Sequence, residues 1–178
     1  LGLRLDYLDA DDYTLKNPTN PDVEDGLIAE DAWKSVDASI HLSPRIGISF
    51  PVSETTVFYT QYGKFVQMPE FNDIYYGSYT YGTQIASGGY FYMMPVGYVY
   101  DPIFTTSYDI GFKKQLGDYA ALDISGFYKN IQGQIRTKRV IKDADAKISS
   151  YNLLMNGDFV TTKGLEFKLV LRRFHRLQ

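Results

Sequence analysis

The stretch GLEFKLVLR, residues 164–172, alternates apolar and charged side chains with a period of two. The apolar positions are Leu165, Phe167, Leu169 and Leu171. The charged residues Glu166, Lys168 and Arg172 fall on the other face. Because successive side chains of a β-strand point to opposite faces of a sheet, this stretch predicts a strand with one apolar and one charged face.

The same alternation recurs in four other segments of the chain. Their apolar positions are Leu3, Leu5 and Tyr7; Ile46, Ile48 and Phe50; Tyr108, Ile110 and Phe112; and Leu122, Ile124 and Tyr128. Most of the intervening positions are charged or small, and the Tyr, Phe, Ile and Thr content suits strands. We therefore predict an all-β fold made of antiparallel strands. About six long strands are expected, near 1–8, 38–51, 55–66, 104–116, 119–132 and 148–172.

Short and long connections alternate along these strands. Tight links fall at Ser53–Glu54 and Gly117–Asp118, whereas long connections are expected near 9–37, 68–103 and 133–149. Outer-membrane barrels have short periplasmic turns and long extracellular loops, while long unstructured loops are uncommon in soluble domains. The pattern predicts an up-and-down transmembrane β-barrel. Since barrels in lipid begin at about eight strands, residues 1–178 are expected to be a partial barrel domain without its neighbouring strands.

Composition agrees with a protein that meets two solvents. Of the 178 residues 16% are aromatic, and 16 are Tyr, whose ring tolerates lipid while its hydroxyl needs water. The net charge of −3 gives no basic surface for nucleic acid. No run of about 20 apolar residues predicts a membrane-spanning helix.

Three segments resemble TonB-dependent outer-membrane receptors, particularly the type common in Bacteroidetes-like lineages. They are SPRIGISFPVSETTVFYTQYGKFVQMPEF (43–71), TTSYDIGFKKQLGDYAALDISGFYKNIQGQI (105–135) and NGDFVTTKGLEFKLVLRR (156–173). Seven short motifs carry the resemblance, and they occur in the order typical of the family. They are Pro-Arg-x-Gly, Tyr-Gly-Lys-Phe, Met-Pro, Ser-Tyr-Asp-x-Gly, Phe-Tyr-Lys-Asn-Ile, Asn-Gly-Asp and Lys-Gly-Leu-Glu. These motifs describe the barrel more than its ligand.

The resemblance implies a barrel of roughly 22 strands, plugged by an N-terminal domain. It also implies a place in the bacterial outer membrane in contact with lipid, and a role in taking up a siderophore, cobalamin or oligosaccharide. The implied partners are TonB and the plug, through parts of the full-length protein that this chain lacks.

Charged residues at the alternate positions are expected to line a wet lumen, because Lys or Arg facing lipid at mid-bilayer costs roughly 2–4 kcal/mol. They are Arg4, Asp6, Arg45, Asp109, Lys113, Asp123, Lys129, Glu166, Lys168 and Arg172. Ligand contacts are expected from the aromatic connection at 72–102, through Tyr75, Tyr76, Tyr79, Tyr81, Tyr90 and Tyr92. The alternative is a purely structural role, in which these rings pack together and stiffen an extracellular cap or belong to an aromatic girdle.

Nothing in the sequence points to catalysis, a metal site or a cofactor. Cys is absent, and the two histidines, His41 and His175, are far apart in sequence. The acidic residues between Asp9 and Asp25 do not follow the spacing of an EF-hand loop and are read as a solvated loop. We therefore expect a protein that is not an enzyme.

Two other functions remain open at this point. A soluble or surface-exposed β-rich carbohydrate-binding or adhesion module would bury the apolar strand faces against a second sheet. A porin-like outer-membrane protein would share the barrel wall but never contact TonB.

Overall fold

The computed structural model describes residues 1–71, 74, 96–97 and 101–171. Within them the chain is nearly all antiparallel β-structure. The long strands are β1 (Gly2–Leu8), β6 (Ser39–Ser53), β7 (Thr56–Gln67), β9 (Ile103–Leu116), β10 (Ala120–Val140) and β11 (Tyr151–Leu171). Short strands are β2 (Tyr13–Leu15), β3 (Val23–Glu24), β4 (Leu27–Ile28), β5 (Trp33–Ser35) and β8 (Val96–Gly97), and a 3-10 helix spans Glu30–Ala32.

The six long strands form one sheet in the order β1-β6-β7-β9-β10-β11, with β8 added beyond β11. Each long strand pairs antiparallel with the next one along the chain, as an up-and-down wall requires. The predicted all-β fold class is confirmed. No helix in the described part of the chain is both long and apolar enough to cross a membrane.

The strand register places every predicted apolar position on one face. For example, Phe50 pairs with Phe58, Phe58 with Phe112, Phe112 with Ile124, and Ile124 with Phe167. Directly paired residues of antiparallel strands share a face, so these rows extend across the sheet. We call this side the apolar face. It carries the exposed side chains Leu3, Leu5, Ile46, Ile48, Phe50, Tyr108, Ile110, Phe112, Leu165, Phe167, Leu169 and Leu171.

The opposite side, which we call the polar face, is the more enclosed one. Its buried residues include Asp6, Ser43, Gly63, Ser107 and Gly111. The apolar face has no buried residue along the described wall strands. This difference indicates that the sheet curves toward its polar face.

One strand runs further than the sequence predicts. β10 continues to Val140 instead of ending near 132, so its connection to β11 covers 141–150 and not 133–149. The reason is a β-bulge at Gly133, which has a φ of +77° and shifts the pairing between Gln132 and Gln134. Asn156 Nδ2 donates to the Gly133 carbonyl oxygen at 2.6 Å and holds the bulge. Because the bulge interrupts the two-residue alternation, the sequence after Gly133 does not predict a strand.

Candidate functional site

Nine of the ten predicted wall residues lie together on the polar face. The register pairs Asp123 with both Lys113 and Lys168, and it places the others in phase with them. The nine are Arg4, Asp6, Arg45, Asp109, Lys113, Asp123, Lys129, Glu166 and Lys168. Arg172 lies outside the described residues, and so do the six tyrosines predicted to contact ligand. That the polar face lines a lumen stays a prediction at this point.

A polar network joins three neighbouring strands on this face. The Tyr59 hydroxyl of β7 donates to Asp123 Oδ1 of β10 at 2.9 Å, reaching across β9. Lys113 of β9 lies 3.8 Å from Asp123 Oδ2, and its ammonium is 5.1 Å from the centre of the Tyr59 ring. Since Lys113 is well exposed, the ion pair itself stabilises little. The network holds Tyr59 flat against the wall.

Gly111 gives the Tyr59 ring the space it needs. A Cβ at Gly111 would lie 2.6 Å from both Tyr59 Cζ and Tyr59 Oη, and 2.8 Å from the Ile124 carbonyl oxygen. The pair is directly opposed in the register of β7 and β9. A similar arrangement recurs where Phe127 faces Gly164, whose Cβ would lie 2.9 Å from the Phe127 ring. Glycines on the polar face therefore make room for aromatic rings that cover the neighbouring backbone.

Replacing Gly111 with alanine is expected to destabilise the wall by about 1–3 kcal/mol, because the Tyr59 ring must move and loses its bond to Asp123. Chemical unfolding of the full-length protein, followed by tryptophan fluorescence, measures the change. Gly47→Ala on the same face is the control, since its Cβ meets only Gln61 Cγ at 3.8 Å. Equal stabilities for the two variants would show that the ring does not depend on Gly111.

Arg4, Asp6 and Ser43 form a second polar cluster near the β1 edge. Arg4 Nη2 lies 2.6 Å from Asp6 Oδ1, and its Nε donates to the same oxygen at 2.9 Å. Asp6 is only 8% exposed and Ser43 is fully buried. Among the described residues, neither Asp6 Oδ2 nor the Ser43 hydroxyl has a hydrogen-bond partner. Buried polar atoms without partners are costly, so these two oxygens lower the stability of this edge of the wall.

At one end of the sheet the first and third long connections fold together. Their apolar side chains form a small core with the adjoining ends of β10 and β11, made of Leu15, Ile28, Ala32, Val140, Ala146, Ile148 and Tyr151. We call this unit the loop cap. The Tyr151 hydroxyl donates to the Pro18 carbonyl oxygen at 2.9 Å, and the Asp143 amide donates to the Thr19 carbonyl oxygen at 3.1 Å. The connection at 9–37 is therefore folded. The sequence had predicted a solvated acidic loop there.

The acidic residues of the loop cap border a shallow cavity of about 340 Å³. Its lining includes Asp22, Glu24, Asp31, Asp145 and Lys147. Within the described ranges, no three His, Asp or Glu side chains are grouped closely enough to hold a metal ion. The Lys147 side chain places a positive charge beside these carboxylates.

Two solved structures to which the chain shows similarity are a copper transporter and a hemophore receptor. The copper transporter OprC shares 15% identity over 83% of this chain and 20% of its own, with a TM-score of 0.49. A double mutant of the Serratia marcescens hemophore receptor HasR, in complex with its hemophore HasA and heme, shares 15% identity over 94% of this chain and 26% of its own, also with a TM-score of 0.49. The chain thus spans about a quarter or less of either structure.

A comparison with curated proteins finds no matching sequence. The family model described as TonB dependent receptor-like, beta-barrel matches residues 1–177. That match covers nearly the whole chain and agrees with the antiparallel wall described above. The chain therefore belongs to the TonB-dependent receptor β-barrel family.

Proposed function

We propose that this chain forms part of the outer-membrane wall of a TonB-dependent receptor that takes up a scarce nutrient. The nutrient class we favour is a siderophore, cobalamin or oligosaccharide. The observation that carries the proposal is the continuous apolar face, whose Leu, Ile and Phe side chains are exposed on five of the six long strands, with the half-exposed Phe58 of β7 between them. Exposed apolar areas of this extent are not stable in water, whereas hydrocarbon solvates them.

The height of the apolar band fits a bilayer. On β9 it runs from Tyr108 to Leu116, with Lys114 near the turn as its one charged residue, which is about 26 Å of strand at roughly 3.3 Å per residue. A tilt of about 40° shortens this to roughly 20 Å along the membrane normal, close to the apolar band of about 25 Å in known barrels. Tyr62, Tyr108 and Tyr128 lie in one row at the end of the band nearer the long connections. Tyrosine at this level suits the boundary between lipid and water.

The polar face would then line the lumen and contact a plug domain carried by another part of the full-length protein. Nine charged wall residues on this face support the assignment, because charge is readily solvated in a wet lumen but costs roughly 2–4 kcal/mol for Lys or Arg facing lipid at mid-bilayer. TonB would act on that plug and not on this wall.

The loop cap would face the outside of the cell. All three long connections leave the same end of the sheet, because β1, β7 and β10 end where β6, β9 and β11 begin. The tight turns at 54–55 and 117–119 lie at the other end and would be periplasmic. Ligand would be recognised on the loop side, with the tyrosines at 75–92 as the proposed contacts.

Two measurements on the full-length protein test this proposal. Expressed in a Gram-negative host with its export signal, it should fractionate with the outer membrane and be extracted only by detergent. Uptake of the matching nutrient should stop when TonB is deleted, whereas diffusion through a porin would continue. Recovery as a stable monomer from a detergent-free lysate, with cooperative unfolding, would contradict the membrane assignment.

A further inference from the structure

The end of the second long connection is anchored on the β10–β11 hairpin. β8 (Val96–Gly97) pairs in parallel with Leu153 and Leu154 on the outer edge of β11. β9, which begins at Ile103, lies on the other side of β10. Between Gly97 and Ile103 the chain therefore crosses three strand spacings, or about 14 Å. Because this length of chain reaches at most about 22 Å, the crossing has little excess length.

Asn156 of β11 ties the crossing segment to the wall. Its side-chain amide has two N–H donors. Asn156 Nδ2 donates to the Asp101 carbonyl oxygen at 2.8 Å and to the Gly133 carbonyl oxygen at 2.6 Å. The first acceptor lies just before β9, and the second lies in the bulge of β10. One side chain thus joins three segments that are distant in sequence, and we call this pair of hydrogen bonds the latch.

The bulge at Gly133 allows the crossing segment to approach β10 closely. A Cβ at Gly133 would lie 3.1 Å from the Pro102 carbonyl oxygen and 3.5 Å from Asn156 Nδ2. The φ of +77° at Gly133 is also one that residues with a side chain rarely adopt. Pro102 is fully buried. The bulge therefore accommodates the crossing segment and presents its carbonyl oxygen to Asn156.

The same hairpin supports the other two long connections. The first packs on it through the small core that includes Leu15, Ile28, Val140 and Tyr151. The third is the hairpin's own loop at 141–150. All three connections are therefore anchored on the part of β10 and β11 beyond the bulge. The latch fixes the second connection, which carries the tyrosines proposed to contact ligand, to this common support.

We propose that Asn156 is a positioning residue for ligand recognition. It acts by fixing where the second connection leaves the wall, and not by contact with the ligand. Without the latch this connection spends less time in the placement that binds, and the apparent affinity falls in proportion to that fraction. The inference rests on the proposed function, because it takes the second connection as the ligand-binding part of the receptor.

Hydrogen exchange of the full-length receptor in detergent measures the latch directly. In Asn156→Ala the amides from Val96 to Phe104 should exchange about tenfold faster than in the wild type, because two hydrogen bonds are lost. Asn152→Ala is the matched control. It removes an asparagine of the same strand, and no hydrogen bond of the Asn152 side chain is found among the described residues. Equal exchange in Asn156→Ala and the wild type would overturn the latch.

Asn156→Asp separates the hydrogen bonds from the shape of the side chain. An ionised carboxylate has no donor, so at neutral pH exchange should be at least as fast as in Asn156→Ala. At a pH of about 4, where aspartic acid takes up its proton, one donor returns. Protection, corrected for intrinsic exchange, should then recover in part in Asn156→Asp and not in Asn156→Ala. No recovery would show that the side chain does not act through donated hydrogen bonds.

Uptake by Gram-negative cells that make the full-length receptor tests the effect on recognition. The probes are iron-loaded desferrioxamine, cyanocobalamin and maltoheptaose, one from each favoured nutrient class. For the probe that the wild type takes up, the half-saturating concentration in Asn156→Ala should rise about tenfold, while the maximal rate stays within about twofold.

The two measurements together separate the possible failures. Faster exchange without a change in the half-saturating concentration would overturn the positioning role. Equal effects in Asn156→Ala and Asn152→Ala would overturn the assignment to Asn156. TonB-dependent uptake of none of the probes would count against the proposed function, whereas hydrogen exchange decides the latch in either case.

Discussion

Replacing Phe167 with arginine is expected to lower the free energy of unfolding of the full-length receptor in lipid by about 2–4 kcal/mol. Phe167 pairs with Ile124 near the middle of the apolar band and is 70% exposed. The variant therefore loses little packing within the protein. The expected cost comes almost entirely from placing a guanidinium group in hydrocarbon. Guanidinium titration of the receptor in phospholipid vesicles, followed by tryptophan fluorescence, measures it.

The neighbouring residue supplies the control for this prediction. Glu166 lies one position away on β11, pairs with Ser125 and belongs to the polar face. Glu166→Arg should change the stability by about 0.5 kcal/mol or less, as exposed positions in water usually do. If both variants are equally stable, the apolar face does not meet lipid and the outer-membrane assignment fails. If Glu166→Arg alone is destabilising, the two faces have been assigned the wrong way round.

The strands of the wall could be predicted from sequence because their signal is local. Residues such as Leu165, Phe167 and Leu169 repeat every second position, and hairpin-length links separate strands that pair with each other. Side-chain direction follows from this period alone, which is why the predicted charged residues fall on one face. The register between strands decides which residue each charged side chain faces on the neighbouring strand and how high it lies along the wall. The two-residue period of one strand does not determine that register.

The network around Tyr59 could not be predicted for that reason. Tyr59 lies in the aromatic stretch TVFYTQY, and nothing in the sequence distinguishes its role from that of Phe58 or Tyr62. Only the pairing of β7 with β9, and of β9 with β10, brings its hydroxyl to Asp123 across Gly111. A glycine between Ile110 and Phe112 within a strand was the available signal, because such a glycine often marks close approach of another group.

The loop cap was missed because its stabilising contacts are distant in sequence. Its strands are two or three residues long and have no alternation to detect. They are held by a core that joins Leu15 and Ile28 to Ile148 and Tyr151. The bulge at Gly133 hid the part of β10 that supports this core. Composition suggested a solvated acidic loop, since the acidic residues are many and the few apolar ones are scattered.

Tyr151 is the residue on which the loop cap depends most. Its side chain is 3% exposed within the small core, and its hydroxyl donates to the Pro18 carbonyl oxygen at 2.9 Å. Tyr151→Ala is expected to destabilise the cap by about 3–5 kcal/mol, the usual cost of removing a buried aromatic side chain. Amides of β2 and β5 should then exchange with deuterium more than about a hundredfold faster, because the cap opens locally. Hydrogen exchange with mass spectrometry resolves this segment.

Two comparisons separate a local effect from general unfolding. Tyr151→Phe keeps the ring and removes only the hydrogen bond to Pro18, so it should cost about 1 kcal/mol and leave most of the protection in place. Amides shared by β7 and β9 lie within the wall and should exchange at the wild-type rate in both variants. Faster exchange throughout the wall would mean that cap and barrel unfold as one unit. Unchanged exchange in β2 and β5 would mean that the core around Tyr151 does not hold the cap.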